Sequence, residues 1–78
     1  MMSGAFVLLT CEEQKQDIKD QIKEIQGIKS VKNVHGAYDC LAETKEMNSE
    51  DIKKLVKYNI RPIEGVRATL ILKKFDTK

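Results

Sequence analysis

Apolar residues run unbroken from Ala5 to Leu9, as Ala-Phe-Val-Leu-Leu. A short run without polar alternation predicts a strand over residues 5–10 that is buried on both faces. The period then changes. Ile18, Ile22 and Ile25 fall at i, i+4 and i+7 with charged residues between them, which predicts an amphipathic helix over residues 12–26. Thr10 with Glu13 fits a capping box, and Glu13 alone would equally suit the first turn as an acid facing the helix dipole. Gly27 supplies the left-handed stop.

Residues 28–34 read as a second strand with Val31 and Val34 as its main apolar positions and a bulge where alternation fails. His35-Gly36-Ala37 is a turn, and residues 38–45 form the third strand of a hairpin. Along it, Tyr38, Cys40, Ala42 and Thr44 point one way, and Asp39, Leu41, Glu43 and Lys45 the other. Asn48 and Ser49 are both candidate N-caps, with Glu50 and Asp51 in the first turn of a second helix. Ile52, Leu55, Val56 and Asn59 mark its inward face, and Pro62 closes it. The last strand covers residues 66–75, with Ala68, Leu70 and Leu72 on one face and Thr69 and Ile71 on the other.

The order strand, helix, strand, strand, helix, strand is repeated in miniature. Ile25-Gln26-Gly27-Ile28 is echoed by Ile63-Glu64-Gly65-Val66 at the second helix-to-strand junction. Two interleaved βαβ halves give an α+β, ferredoxin-like βαββαβ domain with a four-stranded antiparallel sheet in the order 4-1-3-2. Right-handed crossovers place both helices on one face. The first and third strands are taken as parallel neighbours, which sets Cys11 and Cys40 at opposite ends of the sheet and leaves them unbonded. Two helices cover one sheet face only. The other face, carrying half of the first and last strands, needs a lid, and a second copy is the simplest one. The result would be a dimeric α+β barrel.

Seventy-eight residues suffice for one domain, taken as residues 1–78, whose core is small enough to gain from association. Fourteen Lys plus Arg against twelve Asp plus Glu leave a net charge of +2, too small and too interspersed for a nucleic-acid footprint. No apolar run approaches the roughly 20 residues of a membrane span, and the N-terminus does not read as a signal peptide. A cytoplasmic protein is expected, with no membrane partner. Two cysteines so far apart suit neither a zinc site nor a redox motif.

The residues offer little chemistry. One histidine, His35, cannot form a metal cluster or an assignable triad, and the four glycines are isolated. The third strand lacks the stacking aromatics of an RNA-recognition domain. Cys11 lacks the second cysteine of a metallochaperone loop, and residues 10–14 lack the arginine of an acylphosphatase loop. No cofactor, metal or catalytic residue is expected. The turn around Gly36 remains. Gly36 permits a positive φ or close approach of a ligand, and Asp39 could accept from an ammonium. The same two residues also fit a plain glycine turn with an Asp capping its own loop.

The ordered set Gly27-Ile28, Val31, Val34, Gly36, Tyr38-Asp39 and Gly65-Val66-Arg67-Ala68-Thr69 resembles the Lrp/AsnC regulators, specifically their ligand-binding and oligomerisation (RAM) domain. The resemblance runs from about Ala5 to Phe75. It implies a domain that dimerises through its sheets, often assembles further into rings, and binds an amino acid or related effector near dimer–dimer contacts. Carried over, Gly36, Tyr38 and Asp39 line the loop side of that site and Thr69 supplies a hydroxyl. Where the family often has a second threonine, this chain has Ile71, which removes one polar contact to a ligand carboxylate. Only residues 1–4 precede the first strand, so the chain resembles a stand-alone form without the helix-turn-helix and is not expected to bind DNA specifically by itself. The implied function is effector binding and oligomerisation, regulatory in transcription or metabolism. One alternative is a ligand-free assembly domain that joins full-length Lrp-type regulators. Another is a small α+β barrel enzyme, disfavoured by the lack of His and Arg near any cavity.

Overall fold

The computed structural model describes residues 3–12 and 15–74. Strand β1 (Ala5–Cys11) is followed by helix α1 (Lys15–Lys23), then β2 (Ile28–Asn33) and β3 (Cys40–Thr44). Helix α2 (Ser49–Leu55) runs on into one π turn (Val56–Ile60) before β4 (Val66–Lys73). The four strands form one sheet in the order β2-β3-β1-β4, the expected 4-1-3-2 read from the other edge. The fold is the ferredoxin-like α+β arrangement.

Every pairing is antiparallel, including β1 with β3. The parallel relation expected for β1 and β3 is therefore incorrect. A helical crossover keeps β2 in the direction of β1, and the hairpin then reverses β3, so β3 runs against β1. Leu9 stands opposite Cys40, which puts Cys11 and Cys40 at the same end of the sheet and not at opposite ends. Both are thiols.

The core lies between the helices and one sheet face. Val7, Leu9, Cys40 and Ala42 from the sheet meet Ile18 and Ile22 from α1 and Leu55, Val56 and Ile60 from the second helical segment. Burying each large aliphatic side chain contributes about 1.5–3 kcal/mol. Helix α1 is shorter than its apolar period suggests. Glu24 and Ile25 donate their backbone N–H groups to the carbonyls of Gln21 and Ile22, a tightened last turn, before Gly27 reverses the chain at φ 102°. Glu13, half of the expected capping box, and Phe75, the expected end of the last strand, lie outside the described residues. Of the two candidate caps for α2, Asn48 serves: its Oδ1 accepts the Asp51 N–H at 2.8 Å.

The inward face of the second helix also needs correction. Asn59 is exposed and Ile60 is fully buried. The Arg61 N–H reaches back five residues to the Val56 carbonyl at 2.8 Å, which widens the final turn. Residues in a wider turn advance by a smaller angle than the 100° of an α-helix, so Ile60 swings in line with Ile52 and Val56 where Asn59 was expected.

Strand β1 is central, but only its helix face is sealed. Ala5, Val7 and Leu9 are buried, while Phe6, Leu8 and Thr10 on the other face are half-buried. Register extends that second face into rows. Leu41, Leu8 and Leu70 form one, and Glu43, Phe6 and Leu72 the next. Leu70 and Leu72 are 41% and 45% exposed, large for leucines in a sheet. Among the described residues, no helix is long and apolar enough to cross a membrane.

Candidate functional site

Strand β3 starts at Cys40, opposite Leu9, so β1 runs two residues beyond the end of its neighbour. The loop before β3 fills that gap. The Asp39 N–H donates to the Leu9 carbonyl at 2.9 Å, and Val34 donates to the Asp39 carbonyl at 3.0 Å. The Asp39 side chain then continues the ladder: its Oδ2 accepts the Cys11 N–H at 2.8 Å. At the other end of the same strand pair, the buried Thr44 hydroxyl oxygen accepts the Ala5 N–H at 2.9 Å. A side chain thus stands in for a missing strand partner at each end of β1.

Gly36 lies at the exposed tip of this loop with φ 121°, a conformation that favours glycine, and a Cβ there would touch nothing within 4 Å. The space above Gly36 is open. His35 is exposed, and Tyr38 and Asp39 are half-buried. Gly36, Tyr38 and Asp39 therefore share one short loop, as the sequence suggests.

Thr69 is elsewhere. It stands opposite Leu9 on β4, on the helix side of the sheet. There it lines a groove of about 350 Å³ together with Lys53, Val56, Lys57, Arg61, Leu70 and Ile71. None of Gly36, Tyr38 and Asp39 lines this groove, and β1 separates the two places within one chain. Sequence reading missed the groove's cations. Their i, i+4, i+8 spacing was visible, but only the π turn shows that Arg61 stays on the side of Lys53.

A charged cluster lies on the open sheet face. Glu43 accepts a hydrogen bond from Lys74, lies 3.9 Å from Lys29, and accepts from the Ser30 hydroxyl at 3.4 Å. The Lys74 Nζ also sits 4.8 Å from the centre of the Phe6 ring. The hydrogen bond from Lys74 holds the Glu43 carboxyl below the ordinary glutamate value; partial burial opposes this, and the charges of Lys74 and Lys29 and the Ser30 hydrogen bond reinforce it. No group of three or more His, Cys, Asp or Glu side chains suited to a metal ion occurs among the described residues.

Residues 4–75 match the family model of the Lrp/AsnC ligand-binding domain. A Pyrococcus furiosus protein named as an uncharacterized HTH-type transcriptional regulator is 31% identical over 77 residues, covering 94% of this chain and 51% of that protein. A Pyrococcus abyssi protein of the same description is 29% identical over the same length. The chain spans about half the length of these curated relatives. Among solved structures, a Thermus thermophilus protein superposes with a TM-score of 0.89 at 29% identity, covering 100% of this chain and 98% of that one. Escherichia coli AsnC superposes at 0.82 with 14% identity over 95% of this chain and 51% of its own, a likeness of fold. A family match across nearly every residue of the sheet and both helices settles the relationship: the chain belongs to the Lrp/AsnC ligand-binding-domain family.

Proposed function

We propose that this domain binds a small effector, an amino acid or a close relative, and couples that binding to self-association in the control of transcription. The observation that carries the reading is the family match over residues 4–75, joined to an unsealed apolar sheet face. Leu8, Leu41, Leu70 and Leu72 lie side by side there, and a second copy docked on them would bury what one chain leaves in water. The effector's ammonium would meet the Asp39 carboxylate. Its carboxylate would meet the exposed backbone of the Gly36 turn beside Tyr38, with Thr69 contributed across an assembly contact. Homodimers, and rings built from them, follow from the same reading. The described elements include no helix-turn-helix, so specific DNA contact would come from outside them, including from full-length Lrp-type regulators joined through the sheet. No catalytic role is proposed.

A thermal-shift screen with the twenty amino acids tests the effector. A ligand present at 100 times its dissociation constant stabilises the folded state by about 2.7 kcal/mol, which is readable as a rise of several degrees. The expected result is a rise with one or a few chemically related amino acids. A flat screen would favour the ligand-free assembly reading. One observation already points that way, because the Asp39 carboxylate is engaged by the Cys11 N–H.

A further inference from the structure

The groove between the second helical segment and β4 has a composition that an amino-acid site would not need. Three of its walls are cationic (Lys53, Lys57 and Arg61), one offers the Thr69 hydroxyl, and Val56 and Ile71 are aliphatic, with Leu70 at the rim. Among the described residues, no carboxylate lines it. Glu50 shares the neighbouring hollow with Lys53 and Lys57, a hollow that Arg61 does not line.

The alignment of these cations depends on the π turn. In a continuous α-helix, each step of four residues drifts by about 40°, so Arg61 would lie about 80° round from Lys53. In the wider turn from Val56 to Arg61 four residues fall short of a full revolution, so the second step runs back against the first and keeps Arg61 on the groove side. Single π turns inside α-helices are rare and are frequent at functional sites. Apart from Leu70, which belongs to the row of Leu8, the lining lies on the helices or on the helix side of the sheet, so a second copy on the Leu8 face would leave Lys53, Lys57, Arg61, Thr69 and Ile71 uncovered.

We propose that this groove binds a small organic carboxylate with an aliphatic tail and no amino group, the class represented by branched 2-oxo acids. The carboxylate sits against Arg61 and Lys57 with the Thr69 hydroxyl donating to it, and the tail lies on Val56 and Ile71. An amino acid is disfavoured here because its ammonium meets three cations, while the Glu50 carboxylate lines the neighbouring hollow and not this one. Ile71 fits this ligand because an aliphatic tail needs an apolar wall. The proposal goes beyond the loop site above and shares only Thr69 with it.

The test is an NMR titration of the isotope-labelled chain with 4-methyl-2-oxopentanoate, leucine and inorganic phosphate, probes that separate the carboxylate, the amino group and the tail. The expected result is saturable shifts at residues 53–61 and 69–71 with the oxo acid, and at least tenfold weaker binding of leucine and phosphate in the same place. Arg61→Gln and Lys57→Gln should each weaken the oxo acid about tenfold, since each removes a charge-assisted contact, with the melting temperature unchanged. Asp39→Asn should leave oxo-acid binding as it is, whatever it does to amino acids at the loop. The proposal falls if the oxo acid produces no saturable shifts in the groove or if Arg61→Gln leaves its affinity unchanged. It falls equally if phosphate binds as tightly, which would leave the aliphatic wall without a role, or if Asp39→Asn abolishes the binding.

Discussion

The Asp39 carboxylate accepts the backbone N–H of Cys11 at 2.8 Å, so a loop residue completes the hydrogen bonding of the central strand twenty-eight positions before it. Asp39 therefore has structural work whether or not a ligand reaches it. Asp39→Ala leaves the Cys11 amide without that acceptor. An unsatisfied, part-buried N–H costs about 1–3 kcal/mol, and the half-buried position argues for the lower part of that range. In a domain this small, the melting temperature should fall by about 4–8 °C for each kcal/mol. Asp39→Asn keeps an oxygen in place and should fall less. Thermal unfolding followed by circular dichroism checks both, and an Ala variant as stable as the wild type would show that this bond contributes nothing to the fold.

The same two variants separate structure from ligand. If Asp39 holds an effector's ammonium, Asp39→Asn should weaken effector binding by about tenfold or more, because the acceptor loses its charge. The sheet dimer should survive, since Asp39 lies in the loop and not in the rows of Leu8 and Leu70. Calorimetric titration against the best hit of the amino-acid screen reads the first effect and sedimentation the second. Equal affinities would remove Asp39 from the site.

Most of the fold was legible because its signals are local. The apolar run at Ala5–Leu9, the four-residue spacing of Ile18 and Ile22, and the glycines at helix ends each specify an element without reference to the others. Strand order followed from connectivity. The errors arose where one element's geometry depends on another. The β1–β3 direction requires the crossover and the hairpin to be composed in sequence. Asn59 was placed inward by assuming 3.6 residues per turn through a segment that ends in a π turn. The loop of Gly36, Tyr38 and Asp39 was visible as a set. That Thr69 lies across β1 from it was implicit in the order 4-1-3-2, but the family resemblance groups the four residues as one site and so hid their separation within a single chain.

The sheet face predicts assembly. Of Val7 and Leu8, Leu8 is the one that points away from the helices, between Leu41 and Leu70. Leu8→Lys places a charge at the centre of the proposed interface, where burying it unpaired would cost more than the contact returns. In the monomer the lysine can reach water, so the fold should persist. Sedimentation at micromolar concentration should show wild-type dimers or larger species and Leu8→Lys monomers. A wild type that is itself monomeric under those conditions would end the argument for this interface.

Glu43 predicts an acid-side dependence. Folding lowers its pKa, chiefly through the hydrogen bond from Lys74. The stabilisation carried by its charged form is therefore fully present above the unfolded glutamate value of about 4.3, and is lost as pH falls through the lower folded value. Glu43→Gln should be less stable than the wild type near neutrality, and the two should converge as the solution is acidified past that window. Denaturant melts across the range check it. A constant difference at every pH would mean that the carboxylate's charge is not what matters at this position.

Two glycines with left-handed backbone give a paired test of packing against strain. Gly27, at φ 102°, ends α1, and a Cβ added there would approach the Leu55 Cδ1 to 2.8 Å and the Met47 Cε to 3.1 Å. Gly36, at φ 121°, has nothing within 4 Å. Alanine at either position meets the left-handed penalty of about 1–2 kcal/mol. Only at Gly27 must side chains also shift, and since the atoms met are the ends of the Leu55 and Met47 side chains the added cost is at the low end of overpacking, about 1 kcal/mol. Gly27→Ala should therefore lower stability more than Gly36→Ala, by about that amount. Leu55→Val in the Gly27→Ala background should recover part of the loss by removing volume at the point of contact, although the shorter side chain has its own cost in the core. Chemical denaturation of the four variants, including Leu55→Val alone, measures the coupling between the two positions. A coupling of zero would place the whole effect of Gly27→Ala in the backbone and none in its contact with Leu55.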